Sequence, residues 1–185
     1  MNMAIRDFIW PDEWKVETQT AIPKKTTPTS MSDLRNISCT NYLSKILESF
    51  VLEKLRREVK MKYNQFGGLK GTRTTHFLID LQQRILECLE DGSSAVSLLA
   101  VDFSKAFNQM SHLVCLEELA RRGASTDSIR MTAAFLDRRQ MRVKVGSTLL
   151  SPHLVKGGSP QGTRLGNYLF TVTIEAIEEQ RSCHP

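Results

Sequence analysis

Asp102 is the residue of this 185-residue sequence whose type and position most clearly suggest chemistry. It lies near the end of a short apolar run, residues 96–103, which is bounded by turn-forming residues and predicts a buried strand. A carboxylate at such a place costs free energy unless it is paired or holds a cation. Magnesium prefers carboxylate and carbonyl oxygens as ligands. The spacing therefore leaves two interpretations open: a magnesium ligand, or a helix cap or structural ion pair, for example with Lys105.

Residues 157–162, with the sequence GGSPQG, form the second candidate. Glycine allows a backbone to approach a ligand closely, and the start of the helix predicted to follow this loop favours anions. Gln161 can both donate and accept hydrogen bonds. A plain connection between a hairpin and a helix has the same composition, so this loop alone does not identify a ligand.

These candidates depend on the elements around them, and the spacing of apolar residues predicts a mixed α+β fold. Residues 1–37 contain many Thr, Ser, Lys and Pro residues and are expected to be extended and irregular. Gly146 and Ser147 mark the turn of a hairpin. The hairpin is predicted to pair residues 140–145 with 149–156. Five helices are predicted: 41–60, capped by Asn41 or Thr40; from Thr72 or Thr74 to 91; 111–122, capped by Ser111; 126–137, capped by Thr126; and 165–179.

The composition excludes several classes of protein. Hydrophobic residues make up 41% of the chain, which is enough for a globular core. No apolar run approaches the roughly 20 residues of a membrane-spanning helix, and the first residues are not expected to be a secretory signal. The four cysteines include no Cys-x-x-Cys pair, which argues against a zinc ribbon or a disulfide scaffold and favours a reducing compartment.

Basic residues are concentrated in two stretches of a chain whose net charge is +5. Either stretch could line a track for phosphate groups. Each could equally be the solvated face of a helix, and charge alone favours that simpler interpretation. Residues 54–73 contain seven basic residues against one acidic residue, and residues 121–144 contain seven against two.

The order of several short motifs is more specific than any one of them. The sequence contains IPKK, LRNIS, LSKILE, NQFGGLKGTRTTH, LLAVDFSKAFNQM and GGSPQGTRLGNYLF in that order. This pattern resembles the reverse transcriptase domain of non-LTR, LINE-like retrotransposons over about residues 14–179. A relative from group II introns or RNA viruses fits the QFG and SKILE segments less well.

The resemblance implies the fingers and part of the palm of a right-hand polymerase fold. The implied division is an N-terminal extended segment at 1–37, fingers-like helices and a loop at 38–95, and a partial palm at 96–185. It also implies the substrates of such an enzyme: an RNA template, a DNA primer and deoxynucleoside triphosphates, with Mg²⁺ as the cofactor. The expected location is intracellular, nuclear or cytoplasmic, without a membrane.

The resemblance also implies a role for particular residues. Asp102 matches the catalytic metal ligand, and the backbone carbonyl of Phe103 would face the same ion. Phe107 matches the bulky residue under the sugar of the incoming nucleotide, where a ring leaves no room for a 2′-hydroxyl; without the motif, core packing would explain it.

Gln161 and Gly162, with Ser159 and Pro160, match the loop that lines the nucleotide and template site. Lys24, Lys25 and Arg35 resemble fingers residues that hold the triphosphate, although surface solvation is the simpler explanation for cations.

The sequence departs from the family pattern in several places. Asn108 stands where an Asp is usual, Asn36 and Asn167 stand where Pro is usual, and Gly68 stands where a bulky residue is usual. The family's next motif ends in Asp-Asp, and no Asp-Asp pair occurs in this chain. The expected function is therefore a truncated, catalytically incomplete RNA-directed DNA polymerase domain. The alternative is a non-catalytic nucleic-acid-binding fragment or an element relic.

Overall fold

A mixed sheet pairs strands that lie far apart in the sequence. The computed structural model describes residues 2–30, 33–62, 64–92, 95–103 and 106–181. Strand β1 (Val16–Pro23) pairs antiparallel with β2 (Leu34–Cys39) on one side and parallel with β3 (Gln140–Val145) on the other. Two short strands, β4 (Thr148–Leu149) and β5 (His153–Leu154), lie along the free edge of β3.

Seven α-helices are described in these residues, and with the sheet they confirm the predicted α+β class. A 3₁₀ turn, Asp12–Trp14, precedes β1. The helices are α1 (Asn2–Asp7), α2 (Tyr42–Glu58), α3 (Thr74–Glu90), α4 (Ala106–Gln109), α5 (His112–Arg121), α6 (Thr126–Leu136) and α7 (Arg164–Arg181).

Side-chain caps set the starts of three of these helices. The Asn41 side chain accepts a hydrogen bond from the Leu43 amide, and Ser111 caps α5, as predicted. The cap of α6 is Ser125, whose side chain accepts from the Ser128 amide, and the prediction of Thr126 is wrong by one residue. A serine oxygen at the N-cap satisfies one of the amides that a helix start leaves unpaired.

The hydrophobic core lies where α2, α5, α6 and α7 pack together. Trp10 reaches this core from the N-terminal segment and meets Phe135 edge-on, with 4.9 Å between ring centroids. Of the helices predicted with an apolar face, α2 and α7 pack into this core, whereas α3 buries none of its residues. The largest fully buried apolar side chains are those of Trp10, Tyr168, Phe135, Leu47, Leu55, Leu119, Leu136, Leu165, Leu169 and Val172.

Two predictions about the strands need correction. The N-terminal 37 residues were expected to be extended and irregular; they are extended in β1 and part of β2, but these are regular paired strands, because β1 finds a parallel partner in β3 far along the chain. Residues 96–103 were expected to form a buried strand, but they form no helix or strand and are exposed; Leu99 is 82% exposed. An apolar run becomes a strand only where another strand supplies hydrogen bonds, and no described strand lies beside this one.

Cysteine chemistry offers a direct check on this packing. Cys115 is buried in the core, and burial raises the pKa of its thiol to about 11, whereas Cys39 and Cys88 are exposed. Because only the thiolate reacts, iodoacetamide at neutral pH should modify Cys115 at least about 100-fold more slowly than Cys88. Peptide mapping by mass spectrometry measures both rates, and urea should abolish the difference. Equal rates in the native protein would contradict the packing of α5 against α7.

Candidate functional site

Asp102 is accessible and lies in the segment 95–103, which has no regular secondary structure and precedes α4. Its side chain is exposed, and its Oδ1 accepts a hydrogen bond from the Phe103 amide at 2.9 Å. Lys105, its suggested ion-pair partner, lies outside the described residues. Within those residues, no three Asp, Glu, His or Cys side chains come together as a metal site would require. The carboxylate present therefore does not by itself fit a site for two ions.

Phe107 lies on α4, directly after this segment. Its ring packs against that of Phe170 on α7, with 4.6 Å between centroids and 31° between planes. The side chain is only partly buried. One side of the ring is thus supported by α7, while part of its surface stays accessible.

The glycine-rich loop docks directly on α4. The Ser159 amide donates to the carbonyl oxygen of Phe107 at 2.7 Å, and the Gly158 amide donates to that of Met110 at 2.9 Å. Gly158 has a φ of +82°, and a Cβ built there would lie 2.5 Å from the Phe107 carbonyl oxygen. Only glycine combines this backbone conformation with so close an approach. The loop and the helix that bears Phe107 therefore form one unit.

A histidine that the sequence analysis did not single out completes this unit. Nε2 of His112, the first residue of α5, lies 2.7 Å from the carbonyl oxygen of Gly158. The contact joins residues 46 positions apart, so no local pattern indicates it. The only available signal was the position of His112 next to the Ser111 cap.

The far end of the loop is fixed to the start of α7. Thr163 Oγ1 donates to the Pro160 carbonyl oxygen at 3.1 Å and accepts from the Gly166 amide at 3.1 Å. Gly162 has a φ of +97°, and a Cβ there would lie 3.8 Å from the carbonyl oxygen of Ser38 on β2. Gln161 is exposed between these anchors. The structure thus brings Phe107 and the Gln161 loop together and places β2 beside them.

Lys24, Lys25 and Arg35 lie at the other end of the β1–β2 pair, where the two strands are connected. Lys25 Nζ is 2.9 Å from Asp33, and Arg35 is exposed on β2 opposite Ile22. The Lys25 ammonium, with the Thr29 amide, lowers the pKa of Asp33 to about 2. Asp33 is therefore ionised at neutral pH, and a phosphate group approaching Lys25 would compete with it.

The second basic stretch does not form a continuous phosphate track. Two of its arginines are buried: Arg122 binds Glu118 and Glu175, and Arg139 lies 4.0 Å from Glu17 and over the ring of Phe135. Neither a phosphate track nor a solvated helix face describes these two side chains. Their charges are used inside the fold.

The family of the chain follows from its sequence match together with this arrangement. Residues 22–183 match the family described as reverse transcriptase (RNA-dependent DNA polymerase), so the chain belongs to the reverse transcriptase family. This confirms the resemblance drawn from the DFSKAF and SPQG segments. In the described part of the chain, no helix is long and apolar enough to cross a membrane.

Curated relatives place the chain among retrotransposon sequences. It is 24% identical over 176 residues to the probable RNA-directed DNA polymerase from transposon BS of Drosophila melanogaster, covering 92% of this chain and 19% of that protein. It is 28% identical over 170 residues to the RNA-directed DNA polymerase from mobile element jockey of the same species, covering 88% and 18%. It is 22% identical over 170 residues to the Pol polyprotein of the type-1 retrotransposable element R2 of Popillia japonica, covering 90% and 24%. The chain thus spans a quarter or less of the length of these relatives.

Proposed function

We propose that this chain forms the fingers and part of the palm of an RNA-directed DNA polymerase, and that its loop and α4 face the incoming deoxynucleotide. The observation that carries the proposal is the docking of the 157–162 loop on α4. Backbone hydrogen bonds join the loop that presents Gln161 to the helix that bears Phe107, and Phe107 itself follows Asp102 by five residues. A ring supported by Phe170 can act as a fixed steric limit for a sugar.

Each proposed role rests on the chemistry of its residue. Phe107 would exclude a 2′-hydroxyl, and Gln161 would hydrogen-bond the nucleotide or the template. Lys24, Lys25 and Arg35 would neutralise the triphosphate, since cations stabilise charge on phosphate oxygens. The substrates are an RNA template, a DNA primer and deoxynucleoside triphosphates.

Magnesium belongs to this proposal in a limited form. Asp102 and the Phe103 carbonyl are the groups that would hold an ion, which would stabilise charge on the phosphates. Two-metal phosphoryl transfer needs carboxylates that clamp two ions about 3.5–4 Å apart. One exposed carboxylate does not supply them, and residues 96–103 lie without a strand partner among the described strands. The chain by itself is therefore proposed to be catalytically incomplete.

Primer extension tests this incompleteness. The chain, incubated with an RNA template, a DNA primer, Mg²⁺ and deoxynucleotides, is expected to give no product above the background of a protein-free reaction. Asp102→Ala is the informative variant, and Asp80→Ala, which changes an exposed carboxylate on α3, is its control. Robust extension that Asp102→Ala abolishes and Asp80→Ala preserves would show that the chain is a complete enzyme.

Nucleotide binding tests the proposed site itself. NMR titration should show that a deoxynucleoside triphosphate binds more tightly than its ribonucleotide, by about 10- to 100-fold as expected when a pocket discriminates one group. Phe107→Ala should remove this preference, whereas Phe50→Ala, at an exposed phenylalanine on α2, should leave it unchanged. Equal binding of the two nucleotides by the unmodified chain would contradict the role of Phe107.

The second candidate function is non-catalytic binding of nucleic acid. Exposed basic residues on the last turns of α2 and just after it, Arg56, Arg57 and Lys60, favour it. Such binding should weaken steeply with salt and show little sequence preference. A binding titration on RNA at several salt concentrations measures this, and the lack of any salt-sensitive binding would remove the candidate.

A further inference from the structure

His112 makes a long-range contact that neither core packing nor helix capping requires. It is partly buried at the start of α5, and its Nε2 reaches the Gly158 carbonyl oxygen at 2.7 Å. The Ser111 side chain already caps α5 by accepting from the Val114 amide. The His112 ring is therefore not needed as a helix cap and can hydrogen-bond the loop.

The carbonyl that His112 reaches belongs to Gly158, whose φ of +82° and close approach to α4 leave little freedom to its backbone. The Gly158 amide donates to Met110, its carbonyl accepts from His112, and the next amide donates to Phe107. Three hydrogen bonds thus meet at two consecutive residues. Two are made by the backbone of α4 and the residue after it, and one by a side chain of α5.

We propose that His112 is a positioning residue that holds the loop carrying Gln161 against the helix carrying Phe107. The proposal rests on the proposed function, because it assigns His112 the task of fixing the distance between two nucleotide-facing groups. Without the side-chain bond, the loop keeps two backbone hydrogen bonds to α4 and the following residue, and its anchor at Pro160, but no described side-chain hydrogen bond at Gly158. Small rotations about Gly157 and Gly158 would then move Gln161 relative to the Phe107 ring.

Residue 112 must carry a hydrogen-bond donor that reaches the Gly158 carbonyl oxygen, and no change of ionisation is needed. A neutral imidazole with its proton on Nε2 donates to a carbonyl, and so does the imidazolium. Glutamine carries an amide N–H donor on a side chain of similar length, whereas leucine has similar bulk and no donor. These two substitutions separate hydrogen bonding from packing.

Hydrogen exchange followed by mass spectrometry tests the contact without any nucleotide. In His112→Leu, peptides covering residues 157–162 should exchange about tenfold faster, the effect of losing one hydrogen bond, while peptides from α2 and α6 keep their rates. His112→Gln should restore slow exchange. His153→Leu, which changes an exposed histidine on β5, should leave the loop unchanged.

Several results would overturn the proposal. They are unchanged loop exchange in His112→Leu, equal acceleration in the Leu and Gln variants, or equal acceleration in the loop and in α2, which would indicate general destabilisation. If His112→Leu does not fold, His112→Asn replaces it, because the shorter asparagine side chain cannot reach the carbonyl. Loop exchange should then be faster in His112→Asn than in His112→Gln.

The nucleotide titration then separates this proposal from the proposed function. His112→Leu should reduce the preference for deoxynucleotides, and His112→Gln should retain it. One outcome is that the loop loosens in His112→Leu as expected while the unmodified chain binds both nucleotides equally. That result would refute the proposed function and leave His112 as a residue that only holds the loop. Loosening that leaves an existing preference intact would refute the positioning role.

Discussion

Gly158→Ala is expected to destabilise the protein by about 3 kcal/mol or more, because the new methyl group meets backbone atoms in a conformation that only glycine adopts readily. Its Cβ would lie 2.5 Å from the Phe107 carbonyl oxygen and 2.8 Å from the Cα and carbonyl oxygen of Asn108. These atoms belong to α4 and cannot rotate away as a side chain would. The loop must therefore lift from the helix or distort it.

A matched glycine separates the two causes. Gly146, in the β3–β4 turn, has a φ of +60°, and a Cβ there would meet nothing within 4 Å. Gly146→Ala should therefore cost only about 1 kcal/mol, the cost of the backbone conformation. Urea denaturation gives the free energy of unfolding for both variants. Equal losses would show that the loop does not pack against α4 as described.

Arg122→Met is expected to cost about 3–5 kcal/mol, because it leaves the buried Glu175 carboxylate without its guanidinium partner. Arg122 Nε donates to Glu118 Oε1 at 2.6 Å, and its Nη1 binds Glu175, whose side chain is fully buried. The Lys62 amide also donates to Glu175, at 3.3 Å. Arg122 Nη1 also donates to the Lys60 carbonyl oxygen at 3.3 Å, so one guanidinium joins α5, α7 and the segment after α2.

The neighbouring arginine is the control for this prediction. Arg121 contacts the same Glu118, but its side chain is 51% exposed, so Arg121→Met should cost at most about 1 kcal/mol. The double variant Arg122→Met with Glu175→Met should be more stable than Arg122→Met alone, since it removes the uncompensated charge. Thermal unfolding of all three variants gives the comparison. Equal losses for Arg121→Met and Arg122→Met would contradict the buried pairing.

The pH dependence of Arg122→Met has a definite sign. Burial raises the pKa of Glu175 even with Arg122 present, and removing this cation should raise it further. A carboxyl whose pKa is raised in the folded state favours folding at low pH and loses this contribution as the pH rises through the folded pKa. The loss of stability in Arg122→Met should therefore be smaller at about pH 5 than at about pH 8.

The parts of this fold that could be read from the sequence are those that local patterns determine. Helix α2 and the caps Asn41 and Ser111 depend on residues a few positions apart, and all three are confirmed, although Tyr42, Leu43 and Phe50 of the predicted apolar face are exposed. Strands depend on partners, which local patterns do not identify. Val16 pairs with Gln140, and this long-range pairing makes β1 an inner strand of the sheet. The apolar run at 96–103 lacks such a partner, so hydrophobicity alone predicted a strand wrongly.

The candidate site divides in a similar way. The motifs indicated Phe107 and the 157–162 loop, and the structure brings these together, although their roles toward a nucleotide remain proposals. His112 could not be found from spacing, because the atom it contacts belongs to a backbone 46 residues away. The burial of Arg122 was also missed, since a basic residue in a basic stretch is usually solvated. Its carboxylate partner on α7 explains the exception.

The buried Arg122 cluster also bears on the moment at which the chain can finish folding during its synthesis. Glu175 is 53 residues beyond Arg122 and 113 beyond Lys62. While a ribosome is still adding those residues, the Arg122 guanidinium lacks one of its two buried carboxylates, so closing the interior around it is unfavourable. The packing of α5 against the segment after α2, around Arg122, is therefore expected to become favourable only after α7 has been synthesised.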